Sequence, residues 1–152
     1  MPSRRLVLIA SLLVATTAFA APRPYDESAN ASAEVERAIA AAAAENKRVL
    51  LVFGANWCPD CVALDTAMKS DKTAGLVAKE FIVVKVDVGN FDRNLALAQQ
   101  FGNPIKKGIP AAVLLSKDRQ VVYATRAGEL SNARRMSDTG VHDFLQAVAQ
   151  KK

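Results

Sequence analysis

One stretch limits the fold more than any other. It is the apolar run Val49-Leu50-Leu51-Val52-Phe53, the break Gly54-Ala55, and then Asn56-Trp57-Cys58-Pro59-Asp60-Cys61. The run has no polar alternation, which is the pattern of a central strand covered on both faces. Pro59 suits the first position of a helix, where its missing N–H costs nothing, and Cys58 stands at the N-cap place before it. A strand that turns directly into a helix therefore carries both cysteines of the chain. Such a strand needs neighbouring strands and two covering layers, which the rest of the chain must supply.

The flanking segments fit that demand. Ser32 is the expected cap of a helix running to about Asn46, with Glu34 and Glu36 near its positive end. The helix begun at Pro59 continues through Val62, Leu64 and Met68, and Ser70-Asp71 marks a break before a second helical piece to about Lys79. Phe81–Asp87 reads as a strand, Asp92–Phe101 as a helix and Gly102–Gly108 as a loop. Ala111–Leu115 and Val121–Thr125 read as a hairpin. Residues 126–137 form a polar connection, and Ser137 or Asp138 caps a last helix. Its Val141, Phe144, Leu145 and Val148 recur at helical spacing. The alternation implies an α/β fold: a central mixed sheet, closed by an antiparallel hairpin, with helices on both faces.

A chain of 152 residues suits one domain with a real core. Hydrophobic content of 51% and charged content of 23% exclude a disordered chain. Residues 1–20 read as a secretory signal peptide: Arg4 and Arg5, the apolar stretch Leu6–Ala15, and the small-x-small site Ala18-Phe19-Ala20. Cleavage is expected after Ala20. The apolar part is shorter than the roughly 20 residues a spanning helix needs, which disfavours the alternative of an uncleaved anchor. Residues 21–31, with Pro22 and Pro24, are expected to be a flexible lead-in, and 32–152 the domain. Export would place the chain in a periplasm. Without Arg4 and Arg5 there are 18 basic residues against 15 acidic ones, a small surplus spread along the sequence. No basic stripe with interleaved aromatics appears, so no nucleic-acid partner is expected; the chain is expected to be a monomer.

In an oxidising compartment two cysteines can act as a structural staple. Here, though, the loop they close is tiny, so little entropy is removed from the unfolded chain. Adjacent placement at a helix start favours redox work. The unpaired N–H groups and positive dipole end at Cys58 favour its thiolate, the nucleophilic form. Cys58 would attack a substrate disulfide, and Cys61 would then attack Cys58 and release reduced substrate; reversed, the pair oxidises dithiols. A closed metal site needs about four ligands, and two Cys with one His do not supply them. No bound cofactor is needed, because the cysteines carry the electrons. His142 lies one position off the apolar stripe of the last helix and reads as a surface residue.

Trp57-Cys58-Pro59-Asp60-Cys61, followed about fifty residues later by Gly108-Ile109-Pro110 before a strand, resembles the thioredoxin family over roughly residues 33–151. The resemblance implies a thioredoxin-like fold and thiol–disulfide exchange, with Cys58 as nucleophile and Cys61 as resolving thiol. It implies that Pro110 is a cis-proline beside the disulfide and that Ile109 offers its backbone to a bound substrate chain. Trp57 would shield the disulfide rim. Substrates would be protein or small-molecule disulfides, and an upstream thiol donor in the membrane or periplasm would supply electrons.

The sequence departs from that family in its proton-handling residues. A buried acid often lies six positions before the first cysteine, where this chain has Val52. A lysine common on the next strand is expected to be replaced by Val83. Asp60 and Asp65 are the candidate substitutes. Asp65 falls on the helical face of the cysteines and could take a proton from Cys61 through a water. The plainer reading, preferred here, is a solvated helix carboxylate, since Asp is mostly exposed. Pro59 and Asp60, between the thiols, are the candidate tuners of thiol pKa, and the charge of Asp60 opposes thiolate formation. Oxidases of the family often have His at that place, so Asp60 together with Ile109 favours a reductant. The rival readings are a disulfide-forming oxidase and a non-catalytic binding module of the same fold.

Overall fold

The computed structural model describes residues 23–152. The expected signal peptide, residues 1–20, lies outside the described residues. Asn30 caps the first helix, α1 (Ala31–Glu45), its side-chain oxygen accepting from Ala33 N at 3.0 Å. The cap thus falls two residues before the expected Ser32. α1 ends at Asn46, which adopts a left-handed φ of 55°. Such a residue lets the chain turn sharply out of a helix. Next come β1 (Arg48–Gly54), α2 (Pro59–Met68), α3 (Asp71–Glu80) and β2 (Phe81–Asp87). They are followed by α4 (Leu95–Gln100), β3 (Ala111–Leu115), β4 (Val121–Ala124) and α5 (Asp138–Ala149). Short 3-10 turns occupy Pro104–Lys107 and Ala133–Arg135.

The four strands form one sheet in the order β2-β1-β3-β4. β1 runs parallel to β2 and antiparallel to β3, and β3 pairs antiparallel with β4. The apolar run is therefore the inner strand, as its composition demands. Val49, Leu51 and Phe53 point into a core shared with Val35, Ala38 and Ile39 of α1 and with Leu97 and Phe101. Leu50 and Val52 point to the other face, onto Leu64 and Met68 of α2 and Val141, Leu145 and Val148 of α5. Alternating side chains of one strand thus hold the two helical layers apart.

Two segments further along the chain also differ from expectation. α4 starts three residues later than Asp92, because the preceding chain is bound up in turns. Phe91 and Asn94 take left-handed φ values of 62° and 52°, and Asn94 Nδ2 donates to the Asp87 carbonyl at 2.7 Å. An L-residue in that conformation cannot continue a right-handed helix. The connection 126–137 is not simply polar: Leu130 and Ala133 are buried in the α2–α5 core.

The segment read as a flexible lead-in has no regular secondary structure from Arg23 to Asn30, yet it is tied down. Tyr25 is 2% exposed. Its backbone N donates to Asn56 Oδ1 at 3.0 Å, and Asn56 Nδ2 donates to its carbonyl at 2.8 Å. Asn56 lies in the turn between β1 and α2, so the lead-in docks on the cysteine motif itself.

Candidate active site

Cys58 is the N-cap of α2, and Pro59 takes the first helical position. Cys58 and Cys61 are joined as a disulfide, with Cα atoms 5.2 Å apart. The Cys61 backbone N–H donates to Cys58 Sγ at 3.2 Å. This is the stabilising donor that a helix start offers to a thiolate at the N-cap. Cys61 lies deeper: it is 0% exposed, against 4% for Cys58. The pair is therefore asymmetric, with an outer sulfur fed by backbone N–H and an inner sulfur shut away from solvent.

The strand–loop geometry brings a distant segment to Cys58. The Ile109–Pro110 peptide bond is cis, and the Ile109 carbonyl oxygen lies 3.8 Å from Cys58 Sγ. Trp57 stands out on the rim, 55% exposed. Its indole Nε1 donates to the Gly89 carbonyl at 2.8 Å, and its ring meets Phe91 at 6.3 Å between centroids. Phe91 is 43% exposed, so two aromatic rings form an open apolar rim beside the disulfide. Sequence reasoning missed Phe91, because its place depends on the left-handed turn after β2.

Both carboxylates singled out in the sequence are buried, and each is already paired. Asp60 Oδ1 accepts from the Arg134 backbone N at 3.0 Å and lies 3.7 Å from Arg134 Nε. The motif is thereby fastened to the 126–137 connection. Asp65 is 6% exposed rather than solvated, and its oxygens lie 2.7 Å from Lys69 Nζ and 3.1 Å from Lys85 Nζ. Burial would raise its carboxyl pKa, but the Lys69 bond and the Lys85 charge and bond outweigh that and hold it below the usual carboxylate range.

Lys85 corrects the expectation that Val83 had taken the place of a lysine. The β1–β2 register sets Lys85, not Val83, beside Val52. Its side chain is 18% exposed, and burial pushes its pKa down, against the opposing pull of Asp65. Asp87, 3% exposed, pairs instead with Arg93 at 3.2 Å. His142 is partly buried on α5 beside Asp143, at 3.2 Å, and takes no part in the motif. Among the described residues no cluster of three or more His, Cys, Asp or Glu side chains is placed to hold a metal ion.

The sequence matches the thioredoxin-like family over residues 30–117. The chain belongs to the thioredoxin-like family. A solved structure described as a disulphide isomerase from Xylella fastidiosa Temecula1 is 53% identical, with a TM-score of 0.84. The match covers 86% of this chain and 100% of that one. A thioredoxin from Thermus thermophilus is 24% identical with a TM-score of 0.48, covering 66% of this chain and 81% of that one. No curated protein sequence matches the chain. As a thioredoxin-like protein with a disulfide at the start of α2, the chain is a thiol–disulfide oxidoreductase.

Proposed function

We propose that the reduced chain reduces or rearranges disulfides of exported proteins, attacking through Cys58 and closing through Cys61. The observation that carries this reading is the asymmetry of the pair. Cys58, the less deeply buried of the two at 4% exposed against 0%, is the one with a helix-start N–H on its sulfur. Lowering the charge cost at Cys58 makes it both the better attacking thiolate and the better leaving group. The resolving step then falls to Cys61, one turn inward. The 53% identity to a protein described as a disulphide isomerase supports rearrangement of disulfides over their formation.

Substrate chains meet the site at Trp57, Phe91 and the Ile109–Pro110 segment. An extended peptide lying there would find the Ile109 carbonyl beside Cys58 and an apolar rim for one large side chain. Electrons come from an upstream thiol donor in the membrane or periplasm. The signal-peptide pattern of residues 1–20 supports a periplasmic site of action. Among the described residues, no helix is long and apolar enough to cross a membrane.

Equilibration with glutathione tests the direction. A reduction potential near about −270 mV fits a thioredoxin-like reductant, and one near about −120 mV would mark an oxidase instead. The reduced chain is expected to precipitate insulin by opening its disulfides. A reduced chain that leaves insulin intact would favour a binding module that merely keeps the fold.

A further inference from the structure

We propose that the Tyr25 hydroxyl is the hydrogen-bond donor that receives the charge on the Cys61 sulfur when the disulfide opens. The inference rests on the exchange reading above and assigns to Tyr25 a positioning role in its second step.

Four observations converge on it. The first is the anchoring of Tyr25: two hydrogen bonds between its backbone and Asn56 fix it to the residue before Trp57. The second is space. β1 ends at Gly54, and a Cβ there would come under 3.0 Å from both the Tyr25 hydroxyl oxygen and Cys61 Sγ. Glycine leaves a gap of about one methyl group, and the Tyr25 hydroxyl and the inner sulfur both border it. The third is an unmet need: the Tyr25 hydroxyl is buried and, among the described residues, has no hydrogen-bond partner. Buried Tyr hydroxyls usually have one. The fourth is the need of Cys61 itself, a wholly buried sulfur that cannot carry charge without a donor.

The surroundings keep Tyr25 a donor rather than a base. Burial, then the charges of Asp65 and Asp87, push its hydroxyl pKa well above the usual tyrosine value. The charged groups acting on its hydroxyl are Asp65 from α2 and Asp87 from β2, paired with Lys69 and Arg93, with Lys85 of β2 over its ring. Lys85 Nζ lies 5.5 Å from the centre of the Tyr25 ring and is bonded to Asp65. Val35, Ala38 and Ile39 of α1, in the same buried cluster, bring no charge.

The resolving step is a thiol–disulfide exchange. The Cys61 S–H bond breaks and its sulfur attacks Cys58 Sγ in the mixed disulfide. The Cys58–Cys61 bond forms as the Cys58–substrate bond breaks. The substrate sulfur leaves with the electron pair, is reduced, and takes up the proton that Cys61 loses. Tyr25 keeps its own proton throughout and donates a hydrogen bond to Cys61 as charge develops there.

The test is an NMR titration of the two cysteine 13Cβ resonances in the reduced full chain and in Tyr25→Phe. Phe keeps the ring and removes only an oxygen without a partner, so the fold is retained. The Cys61 midpoint is expected to rise by about one pH unit, a tenfold loss of thiolate at a given pH, with the Cys58 midpoint unmoved. An unchanged or lowered Cys61 midpoint, or a rise shared equally by Cys58, would overturn the proposal. The titration needs no substrate, so its outcome is independent of whether the unaltered chain reduces insulin.

Discussion

At Asp60 one carboxylate acts on two segments at once. It sits between the thiols, where its charge is expected to oppose the thiolate at Cys58, and it holds the Arg134 backbone N–H. Asp60→Asn keeps an oxygen for Arg134 and removes the charge. The Cys58 pKa is therefore expected to fall by about half a unit, and the protein to become more oxidising. A thiol titration with no shift, or an upward one, contradicts this. Trp57 offers a different kind of test, because it is exposed and supports no core. Trp57→Ala is expected to lower kcat/KM for protein disulfides about tenfold while leaving small disulfides nearly unaffected. Equal losses on both substrate types would show that the indole tunes the disulfide rather than receiving the substrate chain.

At the scale of elements, α2 and β2 are joined by the buried Asp65–Lys85 pair. Losing a hydrogen-bonded charge there is expected to cost about 2 kcal/mol, so Asp65→Asn should lower stability by that order. The pH dependence follows from the direction of the Asp65 shift. Its carboxyl is held below the usual range in the folded chain, so the unfolded chain binds the proton first. The contribution is complete above about pH 4 and is lost as pH falls through the lower folded value. Urea melts of the wild type and Asp65→Asn should therefore differ at pH 7 and converge in acid. A gap that stays constant down to pH 2 would show that Asp65 acts by packing alone.

The same elements show what a sequence makes legible. The apolar run, Pro59 after a capping position, and the spacing of Val141, Leu145 and Val148 carry local signals, and those elements formed close to where they were expected. Parallel register carries no such signal, because nothing in Phe81–Asp87 states which residue faces Val52. That is why Lys85 was passed over for Val83. Tyr25 was less legible still. Its burial depends on a side chain 31 residues away and on the gap at Gly54, neither of which marks a segment containing prolines as ordered. The pairing of Cys58 with Cys61 at the start of α2 was readable from the motif. The inner groups around Cys61 required tertiary contacts to be seen.

For the whole molecule, the disulfide contributes chemistry more than stability. It closes a loop with a sequence separation of 3, so its removal is expected to cost at most about 2 kcal/mol in chain entropy. The sheet, with β1 inside it and helices on both faces, holds the fold without it. A chain with Cys58→Ser and Cys61→Ser should stay folded and lose all exchange. Unfolding of that variant under mild conditions would return the disulfide to the role of a staple. The central claim is that Cys58 attacks and Cys61 resolves, and trapping tests it most directly. Cys61→Ser, incubated with a disulfide-containing protein substrate, should accumulate a mixed disulfide through Cys58, while Cys58→Ser should accumulate none. Trapping by Cys58→Ser, with none by Cys61→Ser, would contradict it.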